Sequence, residues 1–477
     1  MATLPLSLKG KVKNTAGAGL GGITVTVYDS AAPYDNWAGQ TETLKDGTYE
    51  LHGLVAGHSY RIAYEDYNGT YASTFYNGKA TLLLSNPVTA SGQTLSDTVM
   101  VHTVNVERIA PTSGKFWTQS VNVARRQYVE DLTKPYNAVS NKDVWDDVTD
   151  IILTSGDVRA QSDPLSAAGL AWAYQVNNVA SFNYAMNAPL LLVSATSATD
   201  ASVLALIREI GEQNNLGSTP KRLTIHIVGG AVAVPEARFT EISKALTNAG
   251  LSAPGNDRVV KVGGRYDLAA GIARRMKQRA EASTTDELQL ANFALVANGA
   301  DSARFFDSLA LSPVAASVGA PILLVSATSV PSATSNVITT LKTGTNPIST
   351  LYIGGGPVAV SDAVKSTLAK KLPTNRISGA NRYATARAIA DKGIAMKWLY
   401  EDLGVAVAST IADAQLGGAM AGNNGEPLLL TGSTSLESGD KSWLVGKKKT
   451  LSRVYLVGST TSLNTTVFNA IKAAVAN

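Results

Sequence analysis

Two hydrophobic rhythms divide this chain. Between residues 6 and 104, apolar and polar positions alternate along short runs: LSLKGKVKN, GITVTVYD, GTYELHGL, SYRIAYED and DTVMVHTV. The segments AGAGLGG, KDGT, VAGHS and DYNGT separate them, rich in residues that tolerate left-handed turns. A period of two predicts strands buried on one face. About seven such strands in roughly 100 residues predict an all-β sandwich, placed at 1–105. From about residue 121 the rhythm changes to short, wholly apolar strands alternating with amphipathic helical stretches, the pattern of parallel sheets with helical crossovers.

The second region repeats itself. IILTSG, DPLSAAGLA, APLLLVS and TIHIVGG recur in order as FALVANG, DSLALSPVA, APILLVS and TLYIGGG, then as VAVAST, DAQLGGAMA, EPLLLTG and RVYLVGS. An aromatic-basic helix start precedes each copy: ARRQYVEDL, GGRYDLAAGIA and GANRYATARAIA. The expected units are 121–256, 257–374 and 375–477. The apolar run inside each copy (Leu190, Leu191 and Leu192; Ile322, Leu323 and Leu324; Leu428, Leu429 and Leu430) is expected to be a parallel strand covered by helices on both faces. Pro starts each run by holding its predecessor in extended geometry, and Ser194, Ser326 or Gly432 lets the chain turn away.

Composition narrows the function. A hydrophobic content of 45% with 16% charged residues describes an ordered globular protein. No stretch approaches the roughly 20 apolar residues of a bilayer span, so no membrane span is expected. The absence of cysteine removes disulfides and thiolate metal sites. MATLPLSLKG has neither a basic nor an apolar leader segment, so no signal peptide is expected in this sequence. The net charge of +4 is uneven, since residues 1–105 hold six Lys/Arg against eight Asp/Glu. The basic excess of the remainder is too small for a nucleic-acid footprint, but suits an anionic, repetitive partner.

No catalytic set assembles on paper. IVGGAVAV and IGGGPVAV place glycines between strand and helix, yet lack the spacing of a dinucleotide or phosphate loop; close helix–strand packing explains them. Asp163, Asp307 and Asp413 open helices and stabilise the helix dipole. The four histidines, His52, His58, His102 and His226, form no cluster, so no metal and no cofactor are expected. Ser194 and Ser326 lack a nucleophile elbow and a consistent His partner. The repeated basic-aromatic pairs remain: Arg125, Arg126 and Tyr128; Arg265 and Tyr266; Arg382 and Tyr383. A guanidinium fork fits phosphate or carboxylate, and each tyrosine offers a ring for a sugar face. An Arg–Asp bridge closing each repeat against its neighbour is the competing structural role.

Two families are resembled. GKVKNTAGAGLGGITVTVYD, DGTYELHGLVAGHSYRIAYED and YASTFYNGK resemble carboxypeptidase-regulatory-like, transthyretin-like sandwiches, which implies an accessory module presenting a host or surface ligand site. Neighbouring sandwich families cross-link Lys to Asn beside a buried Glu, parts that Lys9 or Lys11, Asn105 and Glu65 would take. The triple pattern resembles the cell-wall-binding type 2 repeat of Gram-positive surface proteins. That resemblance implies three α/β repeats in a pseudo-threefold arrangement, holding a teichoic-acid-like anionic secondary wall glycopolymer, with the Leu-rich run tied to anchoring. It implies a non-catalytic, extracellular protein at the cell wall or cell surface, with several weak seats acting together. The first copy departs from the family's Arg-Tyr-x-Thr-Ala, and the third loses the second glycine in VGSTT. A wall-modifying hydrolase, and a structural or adhesive surface-layer protein, are the alternative readings.

Overall fold

A computed structural model describes residues 6–30, 37–66, 70–79, 85–111, 116–128, 148–155, 188–215, 221–258, 264–282, 290–300, 305–344 and 346–476. The chain divides into two compact units: Met1–Asn105 with Gly446–Arg453 and Val475–Asn477, and Val106–Val445 with Val454–Ala474.

The first unit is built of β1 (Leu6–Asn14), β2 (Thr24–Asp29), β3 (Trp37–Glu42), β4 (Thr48–Leu54), β5 (Ser59–Glu65), β6 (Thr74–Phe75), β7 (Val88–Thr89) and β8 (Thr98–Met100). One sheet has the order β4-β1-β8; the other runs β3-β2-β5-β6, with β7 also paired to β5. The alternation in sequence becomes alternation in burial. On β4, Tyr49 and Leu51 are buried and Thr48 and Glu50 are not. Leu8, Val12, Val25, Val27, Ile62, Tyr64 and Met100 from both sheets meet in one apolar cluster. Tyr49 and Tyr64 join their hydroxyls inside it at 2.9 Å, which satisfies both buried polar groups.

The second unit carries three four-stranded parallel sheets of the same strand order. The first has β10 (Asp150–Ser155), β11 (Leu190–Val193), β12 (Thr224–Val228) and β13 (Gly255–Arg258), ordered β11-β10-β12-β13. The second has β14 (Phe293–Asn298), β15 (Ile322–Val325), β16 (Thr350–Gly354) and β17 (Thr374–Ile377), ordered β15-β14-β16-β17. The third has β18 (Val405–Ala408), β19 (Leu428–Leu430) and β20 (Arg453–Val457), and takes its fourth strand from β9 (Asn105–Ile109), far upstream in the chain. Gly458 N–H donates to Ile109 O at 2.9 Å, as Gly355 N–H does to Ile377 O.

This closure changes the expected plan. Asn105 ends the N-terminal segment of the first unit and is also the first residue of β9. The boundaries at 256/257 and 374/375 fall inside β13 and β17. The first repeat's leading helix is α1 (Phe116–Tyr128), so ARRQYVEDL is not a helix start: Arg125 lies in the third turn of that helix. The signal passed over is GKFW at 114–117, a basic-aromatic pair without the Arg-Tyr spelling.

The Leu-rich runs are edge strands, yet fully enclosed. Leu190 and Leu192, Ile322 and Leu324, and Leu428 and Leu430 all enter one core common to the three repeats. Leu191 and Val193 face a second cluster with helix α2 (Ala201–Asn214) and helix α3 (Glu236–Asn248). Leu323 and Val325 face the corresponding cluster of the second repeat. An uncovered edge invites pairing with other chains; here Leu192 N–H donates to Ser120 Oγ of α1 at 3.0 Å. Helix α4 (Arg265–Ala282) opens the second repeat. Helix α5 (Phe305–Val318) follows β14, and is buried around almost its whole circumference. Beyond it come α6 (Ser332–Leu341), α7 (Asp362–Ala369), α8 (Arg382–Ala395), α9 (Ile411–Asn423), α10 (Ser438–Lys447) and α11 (Thr465–Val475). Asp200, Ser361, Asn381 and Thr410 cap their helices by accepting first-turn amides. Helix α9 crosses α5 on glycines: a Cβ at Gly418 would lie 2.8 Å from Ser312 Cβ, and one at Gly422 would collide with the Pro313 carbonyl.

Candidate functional site

In sheets of this order the chain leaves the first strand in opposite directions, opening a crevice at the carboxyl ends of the first and third strands. That crevice is filled from within. Gly355 and Gly458 turn the chain there with φ of +108° and +137°. A Cβ on Gly355 would strike Asp307 Oδ2, and one on Gly458 would lie 2.7 Å from Asp413 Oδ2. Asp413 is 1% exposed and accepts from Thr410 Oγ1 at 2.7 Å. Burial pushes its carboxyl above the ordinary range, while hydrogen bonds from Thr410 and Ser462 and the Arg108 charge pull it back. The helix-opening aspartates and the strand-Gly-Gly motif are thus one feature, in which a side-chain carboxylate occupies the place a phosphate takes in nucleotide-binding sheets. Asp163 lies outside the described residues.

A second set of arginines escaped the sequence reading. Arg258 donates to Gly229 O at 2.6 Å and Val234 O at 2.9 Å. Arg376 does the same to Gly355 O and Val360 O, both at 2.7 Å. Arg108 reaches Gly458 O and Ser459 O at 3.0 Å. Each sits on the fourth strand of its sheet and ties down the turn after the third. The common signal was Arg followed by Val or Ile, a few residues ahead of each basic-aromatic pair.

The expected arginine sites are not equivalent. Arg125 pairs with Glu209 of α2, a glutamate within the same repeat, at 2.9 Å. The Arg126 and Tyr128 side chains lie outside the described residues. Arg265 donates to Gly299 O at 2.8 Å; Tyr266 packs beside that glycine, and burial raises its hydroxyl's pKa. Arg382 is exposed, lies 4.2 Å from the Phe306 ring centroid, and donates to Tyr383 Oη at 2.8 Å. Ser194 Oγ accepts from Ser197 N–H at 3.0 Å, and Ser326 Oγ from Ser329 N–H at 2.8 Å, so both close turns. Two of the lysine–asparagine cross-link parts have other places. Lys9 forms an exposed ion pair with Glu50 at 3.1 Å, and Asn105 belongs to β9.

Among the described residues, the repeats differ where one sheet meets the next repeat's first helix. On the first sheet His226 lies between two carboxylates, with Nε2 2.6 Å from Asp150 Oδ1 and Nδ1 2.9 Å from Asp257 Oδ2. Ionised carboxylates only accept, so this geometry requires both ring nitrogens to carry hydrogen, which makes the ring an imidazolium. Burial pulls the His226 pKa down, but the hydrogen bonds and charges of Asp150 and Asp257 outweigh it and hold it above the ordinary value. From α4, Arg275 meets Asp257 at 2.8 Å and Arg279 approaches Asp150 at 3.6 Å.

The second sheet has other residues in the same places. Phe293 faces Thr350 as Asp150 faces Thr224, and Tyr352 pairs with Asn375 as His226 pairs with Asp257. Lys392 stands as far from the helix-opening Arg382 as Arg275 stands from Arg265. An open groove of about 440 Å³ results, lined by Tyr352, Asn375, Arg376, Ser378 and Lys392 among others. Trp398 stacks on Phe293 at 4.4 Å and meets Tyr352 edge-on at 5.0 Å, which stiffens the aromatic floor. No group of three or more metal-ligating side chains occurs among the described residues, and no described helix is long and apolar enough to cross a membrane.

Comparison with known proteins agrees with this plan. Residues 263–365 and 376–468 match the family model of Cell wall binding domain 2 (CWB2). The second and third α/β units thus each match a cell-wall-binding repeat model, in tandem. The chain is 31% identical over 210 residues to N-acetylmuramoyl-L-alanine amidase LytC of Bacillus subtilis (strain 168), a match covering 44% of this chain and 36% of that protein. Among solved structures, Cwp6 from Clostridium difficile shares the fold with a TM-score of 0.59 at 17% identity, over 96% of this chain and 64% of that one. Cwp8 from Clostridium difficile gives 0.56 at 17% identity, over 88% and 59%. The chain thus spans about a third of the amidase and under two thirds of either Clostridium protein.

Proposed function

We propose that this protein is a non-catalytic surface protein of a Gram-positive bacterium. Its α/β repeats would hold it on the cell wall by binding an anionic secondary wall glycopolymer, and its N-terminal β-rich unit is a sandwich that presents a separate ligand site. The observation carrying this reading is the pair of CWB2 matches lying on two consecutive parallel-sheet units. The crevices where such sheets hold substrates support it, being closed by Asp307 and Asp413 in those same units. The repeats share one core, which fits a pseudo-threefold assembly.

The test is adsorption of the purified chain to isolated walls. Binding is expected to weaken with salt, to survive trypsin treatment of the walls, and to vanish once the anionic polymer is extracted. Equal retention on extracted walls defeats the reading. Release of sugars or peptides from peptidoglycan by the pure chain would favour a hydrolase instead.

A further inference from the structure

We propose that the groove between the second sheet and helix α8 is a seat for one negatively charged saccharide unit, and that the other two seams offer no equivalent seat. This rests on the wall-polymer reading above and narrows it: binding is local to one seam, not spread over three like sites.

The argument is a comparison of the same positions in three repeats. At the first seam the fourth strand supplies Asp257, whose carboxylate takes Arg275 at 2.8 Å and His226 at 2.9 Å. A guest anion there would have to displace a carboxylate already in place. At the third seam the fourth strand is β9, and Glu107 stands two residues before Ile109, as Asn375 stands two before Ile377. The corresponding third-strand side chain, Tyr455, is 1% exposed. An acid therefore occupies this strand position in both of these repeats. Only the second seam has a neutral amide at this position, so Lys392 has no carboxylate from the strand to meet it.

The walls of the groove suit a charged sugar. Arg376 is pinned by two carbonyls and by Asp362 at 3.1 Å, which makes it a fixed cation with little conformational entropy left to lose on binding. Its acidic partner is turned to water, with a side chain 75% exposed. Lys392 adds a second cation on a flexible stem. Exposed Asn375 and Ser378 offer hydroxyl partners, and the Tyr352 ring, buttressed by Trp398, provides an apolar face for a pyranose. The volume of about 440 Å³ accommodates one or two sugar units rather than a chain.

The test is titration of the full chain with N-acetylglucosamine 1-phosphate, glucuronate and neutral N-acetylglucosamine, followed by calorimetry. The expected result is one site per chain, binding of the charged probes over the neutral one, and loss of affinity as salt rises. Preference between phosphate and carboxylate probes identifies which anion the polymer carries. Lys392→Ala is expected to weaken binding about tenfold, the scale of one charge-assisted hydrogen bond. Asn375→Asp, which writes the first seam's acid into the second, is expected to abolish it. Arg125→Ala leaves it unchanged. Both groove substitutions are at solvent-accessible positions, and unchanged unfolding midpoints check that they fold. Three sites per chain, or full binding by Asn375→Asp, overturns the single-seat proposal while leaving wall attachment standing. Failure of the unaltered protein to adsorb to walls removes the underlying reading instead.

Discussion

Replacing His226 with Tyr, the residue at this position in the other two repeats, tests whether the first seam is an ionic latch. The substitution removes two charge-assisted hydrogen bonds, at 2.6 and 2.9 Å. Each contributes about 1.5–3 kcal/mol. It also leaves Asp150 and Asp257 facing one another with side chains only 12% and 26% exposed. Arg275 and Arg279 keep part of that charge compensated, and the phenol adds apolar burial. The net loss is therefore expected at about 2–4 kcal/mol near neutral pH, below the sum of the bonds.

The pH dependence carries a sign that packing alone would not. His226 has a raised folded pKa, so its contribution is fully present below the unfolded value of about 6.5 and is lost as pH rises through the folded value. Asp150 and Asp257 have lowered folded pKa values. For Asp150 burial works the other way, but His226, Thr149 and Arg279 prevail; for Asp257 the His226 hydrogen bond leads. Their contributions are present above about 3.9 and are lost as pH falls through the folded values. Denaturant unfolding of both proteins across pH, with hydrogen exchange followed on β10 and β12, measures the difference. It should be greatest in the mildly acidic to neutral window and shrink toward alkaline pH. A difference that is flat from about pH 6 to about pH 10, or below about 0.5 kcal/mol throughout, refutes the latch.

Other outcomes follow from the packing. Arg258→Ala or Arg376→Ala orphans the turn carbonyls and should lower stability by about 2–3 kcal/mol, measured by denaturant midpoint. Gly422→Val drives a side chain into the Pro313 carbonyl and should cost about 3 kcal/mol or more through overpacking. Leu191→Ala should cost about 2–5 kcal/mol, with wall adsorption lost only in step with unfolding, since Leu191 is fully buried. The intact mass should equal the sequence mass, with Lys9 held in an ion pair to Glu50 and Lys11 unmodified; a deficit of one ammonia would contradict this.

What the sequence determined by itself was periodic. Alternation marked the β-rich front, wholly apolar runs marked parallel strands, and fourfold motif order marked three copies, because side-chain burial follows local backbone geometry. The glycines after the third strands were legible as packing positions. The tertiary structure alone decided which partners met. β9 completes the third sheet across more than three hundred residues of chain, and no local pattern encodes that pairing. The Asp–Gly–Arg crevice joins residues from three separate elements, so each looked ordinary in isolation. The seams diverge through single exchanges, Asp257 for Asn375 and His226 for Tyr352, whose consequence depends on what stands opposite. A charge's role is set by its neighbours in space, through distance and dielectric, and those neighbours become known only when the strands are laid side by side.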